Sequence, residues 1–199
     1  IDDFVELQQF CETLDIMFLL TIADLSSCSL IDILRLRRVK IGSTNITNHW
    51  LLQEVSTRVD SIILSTGAST FDEIESALTV IHEAGSCDVT LLHCTVNYPT
   101  DLSNLNLLSI SYLKQHFPHC SIGFSDHSIG SSAAICASTL GVSCIEKHFT
   151  LSQFMSGPDH SFSINPTEFS EFKKAVDHTI ISLGSISKSP SVSEKGVRK

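Results

Sequence analysis

Positive charge is scarce in this sequence, and no basic stripe runs along it that could neutralise a phosphate backbone. Lys and Arg number 13 against 22 Asp and Glu, giving a net charge of −9 and a pI near 5.3. A nucleic-acid partner is therefore not expected, and an anionic small substrate would need a few locally placed cations. Also missing are an apolar run of the roughly 18–20 residues that a membrane helix needs and a signal-peptide pattern at the start. No membrane partner and a cytoplasmic location are the expectations. The seven cysteines, Cys11, Cys28, Cys87, Cys94, Cys120, Cys136 and Cys144, are scattered, odd in number and without a CxxC pair. That argues against a disulfide framework and for small buried thiols in a reducing compartment.

What is present is an apolar-leaning globular composition. Hydrophobic residues make up 42%, charged residues 18%, and mean hydropathy is +0.19, which excludes a disordered chain. Strand-like and helix-like segments alternate. Residues 2–14 have helical apolar spacing, and 15–23 (DIMFLLTIA) is a run of strand length. Helices are expected over 27–37, 47–58, 70–85, 103–117, 128–141 and 166–184, and strands over 38–43, 61–66, 88–95, 121–126 and 142–148. Thr70 with Glu73, and Asn165 with Pro166 and Glu168, supply N-terminal caps. About six βα units result, with strands apolar enough to be buried on both faces, the mark of a parallel α/β sheet. An open doubly wound sheet and a (β/α)8 TIM barrel both fit. A barrel usually takes about 250 residues, so six units would leave it incomplete. Residues 1–184 form the expected folded domain and 185–199 a polar tail or linker.

Polar residues follow the apolar part of nearly every strand: Thr21, Lys40 and Ser43, Ser65, His93 and Thr95, then Ser125, Asp126 and His127, then Glu146, Lys147 and His148. The carboxyl ends of parallel strands open onto one face, where such folds build their sites. His127 and His148 end two successive strands, each two residues after a Ser or a Glu. Neighbouring strands lie about 4.8 Å apart, so two such imidazoles can share one ion of the Zn, Mn or Fe type. Buried histidines that merely satisfy a core are the ordinary alternative, and His93, inside its strand, is read that way. Lys40 within VKIGS is either paired with a neighbouring carboxylate or an anchor for a phosphate or carboxylate. Ser43, Ser65 and Ser125 would add hydroxyls, or simply make turns. Glu146 is a candidate acid or base, or an ion-pair partner of Lys147 or Lys40. Asp126 either orients a histidine or caps the next helix. GPDH at 157–160 reads by composition as a turn, and the alternative is that Asp159 and His160, close to the last strand tip, reach a substrate.

Six segments in order, KIGSTNITN, IILSTGAST, LLHCTVNYPT, GFSDHSIG, IEKHFTL and GPDHSFSINPTEF, strongly resemble the N-acetylneuraminate (sialic acid) synthase family, with its legionaminate, pseudaminate and spore-coat relatives. The resemblance covers residues 1 to 184. It implies a TIM barrel followed by an antifreeze-like domain in a domain-swapped homodimer. It implies condensation of phosphoenolpyruvate with N-acetylmannosamine or its 6-phosphate to a nine-carbon 2-keto acid and phosphate. It places a divalent metal, usually Mn2+ with Mg2+ or Co2+ as alternatives, on His127 and His148. Thr21, Lys40, Ser43, Ser65 and Ser125 are placed around phosphoenolpyruvate, and Tyr98 and Asp159 at the N-acetylhexosamine. Glu146 with Lys40 would serve catalysis. The family's first two strands and its C-terminal domain are not matched, and the chain opens on Ile1 rather than Met, so the expectation is part of a barrel, strands 3 to 8. Asn45, Val96 and the LTIAD segment depart from the usual pattern. The alternative reading is a catalytically inactive, truncated paralogue with a binding or oligomerisation role.

Overall fold

The computed structural model describes residues 1–85 and 87–197. Helix α1 (Asp2–Thr13) leads through the apolar run and a single 3-10 turn, Ser26–Cys28, into the short α2 (Ser29–Ile33). Five strands then alternate with helices: β1 (Arg38–Ile41), α3 (His49–Ser56), β2 (Ser61–Ser65), α4 (Phe71–Ala84), β3 (Asp88–Cys94), α5 (Leu108–His116), β4 (Ser121–Asp126), α6 (Ser132–Thr139), β5 (Ile145–Lys147) and α7 (Pro166–Leu183). All pairings are parallel and the order is β1-β2-β3-β4-β5.

That order decides between the two candidate architectures. A doubly wound sheet reverses direction at a switch point, with helices on both faces. Here each strand is added beside the last. With right-handed crossovers, every helix then falls on the same side, as in a barrel wall. The sheet also curls. Lys40 on β1 and Glu146 on β5 lie on its two outermost strands, yet their side chains meet at 2.6 Å. In a flat sheet those strands would be about 19 Å apart, beyond the combined reach of a lysine and a glutamate.

The helix-facing side of the sheet carries Val39, Ile41, Ile62, Leu64, Val89, Leu91, Ile122 and Phe124, all in one buried cluster with residues such as Leu51, Val55, Ala77 and Ile110 of the helices. Burying each large apolar side chain contributes about 1.5–3 kcal/mol. Helix α6 presents Ala133, Ala134, Ala137 and Ser138 inward, small enough for α7 to approach, and Phe172 of α7 packs on Ala134 and Ile164. Both expected capping boxes form. The Glu73 amide donates to Thr70 Oγ1 at 3.3 Å, and the Thr70 amide to Glu73 Oε2 at 2.7 Å. The Glu168 amide donates to Asn165 Oδ1 at 3.0 Å, and the Asn165 amide to Glu168 Oε2 at 2.9 Å. Asn165→Ala strips α7 of this cap and is expected to lower stability by about 1 kcal/mol, read as a shift in the urea midpoint. No shift would mean that packing alone fixes the start of α7.

Several expected boundaries move. The sheet has five strands rather than six, because residues 15–23 add only a bridge from Thr21 to Lys40, held by the Ile22 amide on the Lys40 carbonyl and the Lys40 amide on the Leu20 carbonyl, each at 2.9 Å. Ile16, Met17 and Leu19 of that run stay exposed. The helix expected over 27–37 stops at Ile33, since Arg35 enters the left-handed region at φ 51°. Asn106, at φ 44°, likewise separates the 3-10 turn Leu102–Asn104 from α5. Helix α6 starts at Ser132 instead of 128, because the Ser128 amide and hydroxyl are held by Asp126 Oδ1 at 2.9 and 2.7 Å. β5 is only three residues long. Every residue from 183 to 197 is exposed, while positions 198–199 of the expected tail lie outside the described residues. Among the described residues no helix is long and apolar enough to cross a membrane.

Candidate active site

Side chains alternate across a strand. With the helix-facing residues fixed, Lys40, Ser65, Cys94, Ser125 and Glu146 share the other, concave face. The register aligns Ser125 with both Cys94 and Glu146. The polar residues at the strand ends therefore converge in space.

Glu146 is the hub. It accepts from the Lys40 ammonium at 2.7 Å on Oε1 and 2.6 Å on Oε2, and from the Ser125 hydroxyl at 2.6 Å on Oε1. Burial works to raise its pKa, but the Lys40 charge, the two hydrogen bonds and nearby His127 outweigh it, leaving Glu146 below the ordinary carboxylate value. It is ionised at neutral pH. Of the two partners that the sequence allowed, Lys40 is the one found.

His127 is buried beneath Tyr98, their rings 4.3 Å apart. Its Nδ1 lies 2.8 Å from the Thr95 carbonyl. A carbonyl only accepts, so Nδ1 carries the proton and donates. Its Nε2 is 3.2 Å from the Ser125 hydroxyl, whose single proton already goes to Glu146. In neutral His127 the Nε2 lone pair thus receives no proton from Ser125, which is the condition for a metal ligand. His148 stands edge-on to it, ring centres 5.2 Å apart. Two imidazoles on one tetrahedral ion, with metal–nitrogen bonds near 2.1 Å, would place ring centres roughly 5 Å apart. Among the described residues no group of three or more His, Cys, Asp and Glu gathers around one point. The pair would leave most coordination positions to substrate and water.

His148 is flanked by Phe162 at 5.0 Å between ring centres and by Asp159, whose Oδ2 is 3.6 Å from Nδ1, too long for a hydrogen bond. Burial, helped by the charges of His127 and Lys40, pushes its pKa below 6.5 against the pull of Asp159 and Glu146. Burial lowers His93 too. His93 is on the helix side, its Nε2 2.7 Å from the Leu105 carbonyl, and serves the core as expected.

The remaining expected residues sit around this centre. Ser43 Oγ accepts from the Gly67 amide at 2.9 Å and lies 3.4 Å from Cys94 Sγ. Gly67 permits that approach, since a Cβ there would come within 2.5 Å of Val96 Cγ2 and 2.9 Å of Ser43 Oγ. Ser65 is buried on the same face. Thr21 is exposed and reaches the group only through its backbone bridge to Lys40. Tyr98 covers both histidines, at 4.3 Å from His127 and 5.7 Å from His148. Phe162, in the turn His160–Phe162, was not singled out from sequence and completes this aromatic wall, 5.8 Å from Tyr98. A Phe following a histidine in a turn carries no pattern that would mark it. Asp126 does not orient a histidine directly: it pairs with Lys147 at 2.9 Å on the helix side.

The titrations have one sign. His93 and His148 have depressed folded pKa values, so the unfolded chain takes up their protons first as pH falls below about 6.5, and stability drops from there. The stabilisation from ionised Glu146 is lost lower still, below about 4.5. The urea midpoint is expected to be flat near pH 7–8 and to fall progressively from pH 6.5 to 5. A midpoint that held or rose over that interval would contradict the burial of both rings.

The chain matches the NeuB family over residues 1–188. It is 38% identical over 196 residues to an uncharacterised protein of Methanocaldococcus jannaschii, covering 98% of this chain and 58% of that protein. It is 43% identical over 156 residues to N,N'-diacetyllegionaminic acid synthase of Campylobacter jejuni, covering 77% and 46%. The crystal structure of N-acetylneuraminic acid (sialic acid) synthetase from Leptospira borgpetersenii, in complex with citrate, superposes with a TM-score of 0.90 at 28% identity, covering 98% of this chain and 68% of that one. The chain spans about half the length of the curated relatives it matches.

Proposed function

The chain belongs to the NeuB family, and from that premise we propose that its strand-end cluster is the phosphoenolpyruvate and metal end of a sugar-acid synthase. The reaction would join phosphoenolpyruvate to N-acetylmannosamine or its 6-phosphate within a (β/α)8 barrel, of which residues 1–184 form a part and 185–197 a linker. The family's homodimer and a cytoplasmic setting belong to the same reading, which the seven free thiols favour. One observation carries it: the hydrogen-bonded group Lys40–Glu146–Ser125, with His127 Nε2 3.2 Å from the Ser125 hydroxyl and His148 beside it.

The enol carbon of phosphoenolpyruvate bonds to the aldehyde carbon of the open-chain sugar, whose oxygen takes up a proton. Positive charge develops at the carbon bearing the phosphate ester, water adds there and loses one proton, and the resulting hydroxyl gives its second proton to the departing phosphate as the C–O bond to phosphate breaks, leaving the 2-keto acid. Lys40, with the hydroxyls of Ser43, Ser65, Ser125 and Thr21, would hold the anionic substrate, so positioning and fixed charge contribute much of the rate. Glu146, kept ionised, is the acceptor for the water's proton. Tyr98 and Asp159 would face the sugar. A divalent ion on His127 and His148, Mn2+ or alternatively Mg2+ or Co2+, would supply Lewis-acid polarisation of the aldehyde.

The test is calorimetric binding of Mn2+ to the purified chain, with and without phosphoenolpyruvate. His127→Ala and His148→Ala are each expected to weaken Mn2+ by more than about 100-fold, given that losing an outer-shell partner alone costs about 10–100-fold. Undiminished binding in both variants would overturn the metal assignment. Mn2+ binding without product from either sugar would favour the inactive paralogue.

A further inference from the structure

Behind the site, on the helix side of the sheet, lies a second ion pair that the proposed chemistry does not use. Asp126 and Lys147 end β4 and β5, are aligned in register, and immediately precede His127 and His148. Their side chains are 0% and 3% exposed and meet at 2.9 Å. The Lys147 ammonium also donates to the Ser128 carbonyl and faces the Phe172 ring of α7 at 5.9 Å. Asp126 uses its other oxygen to hold Ser128. A buried ion pair is a poor source of net stability, since desolvating two charges offsets most of their attraction. Its use is better sought in geometry.

The geometry at this point needs fixing. β5 has three residues and pairs with β4 at three positions. Just past its end the chain has one bridge, Phe149 to Ile164. Around that bridge the Ile164 amide donates to the His148 carbonyl at 3.0 Å and the Thr150 amide to the Ile164 carbonyl at 2.9 Å, so the backbone ties this strand end at few points. Two cross-strand side-chain pairs stand back to back there: Ser125–Glu146 on the site face and Asp126–Lys147 on the helix face.

We propose that Lys147 and Asp126 are positioning residues that pin the end of β5 and so set the His127–His148 separation for one divalent ion. The inference rests on reading those histidines as a metal pair. The pin acts through the backbone: its two charges touch neither imidazole nor substrate.

The test compares wild type, Lys147→Arg and the double variant Asp126→Asn/Lys147→Met, which removes both charges but keeps an oxygen to hold Ser128. A charge-free pair avoids the stranded carboxylate that Lys147→Met alone would leave. Mn2+ affinity by calorimetry is expected to fall about 10–100-fold in the double variant, with the thermal midpoint within a few degrees of wild type, and to recover most of that loss in Lys147→Arg. Hydrogen exchange over 145–148 is expected to quicken about tenfold in the double variant while α4 is unchanged. Mn2+ affinity within twofold of wild type, or unchanged exchange at β5, would overturn the proposal. Should wild type bind no Mn2+, the metal reading fails on its own, and the exchange comparison still decides the pin.

Discussion

Lys40→Met is expected to weaken phosphoenolpyruvate binding about 10–100-fold, which is about 1.4–2.8 kcal/mol, while the Mn2+ binding proposed for the two histidines is left unchanged. The ammonium bridges the two outermost strands and contacts both oxygens of Glu146 within 2.7 Å. Methionine keeps the stem and removes the charge. Charge-assisted hydrogen bonds of this length are about twice as strong as neutral ones, and Lys40 is the cation placed beside Glu146 and Ser125 on the concave face. The variant also exposes what Lys40 does to Glu146. Burial remains and the largest opposing influence goes, so the carboxyl must climb from its lowered value. Calorimetry reads the first effect, and a carbon-13 titration of the glutamate carboxyl the second. Phosphoenolpyruvate affinity within twofold of wild type, alongside a raised Glu146, would leave Lys40 as a structural partner and move the anion site elsewhere.

Much of this centre was legible before any coordinates, and the illegible part has a definite cause. Strand ends could be found because apolar runs terminate in polar residues, and α7 because Asn165, Pro166 and Glu168 spell its first turn. Lys147 stood open as a partner of Glu146, but the strand turns it to the opposite face, where Asp126 takes it. That Lys40, 106 residues away, pairs with Glu146 instead depends on the curl of the sheet, which no local pattern encodes. The run at 15–23 shows the converse failure. Apolar content marks a segment able to pair, but a ladder also needs a neighbour's free amides and carbonyls, and β1 meets this segment at Thr21 alone. The state of His127 was hidden for a third reason. It follows from the Thr95 carbonyl and from the direction in which Ser125 spends its proton, facts of hydrogen-bond geometry across three segments.

Phe124→Ala is expected to be the most destabilising single truncation considered, at about 3–5 kcal/mol, the range for emptying a large buried aromatic site. Phe124 is fully buried at the middle of β4, stacked on His93 with ring centres 6.1 Å apart, and its amide bonds to the Cys144 carbonyl at 3.0 Å. A domain's whole stability is about 5–15 kcal/mol, so the loss consumes a large fraction of it. With a urea slope of about 1–3 kcal/mol/M, the midpoint should drop by about 2 M. Phe154→Ala removes the same ring from a position 99% exposed and should stay within about 0.5 kcal/mol; the pair separates burial from residue type. The functional consequence follows from the same strand. Phe124 points to the helices while Ser125 and His127 hold the site, their hydrogen bonds running to Glu146 and Thr95. Metal affinity per folded molecule should therefore survive, and binding capacity should fall only with the folded fraction. A change below 1 kcal/mol would mean that the core can close over the gap. Lost affinity in fully folded protein would mean that the helix-side packing reaches through β4 and shapes the site itself.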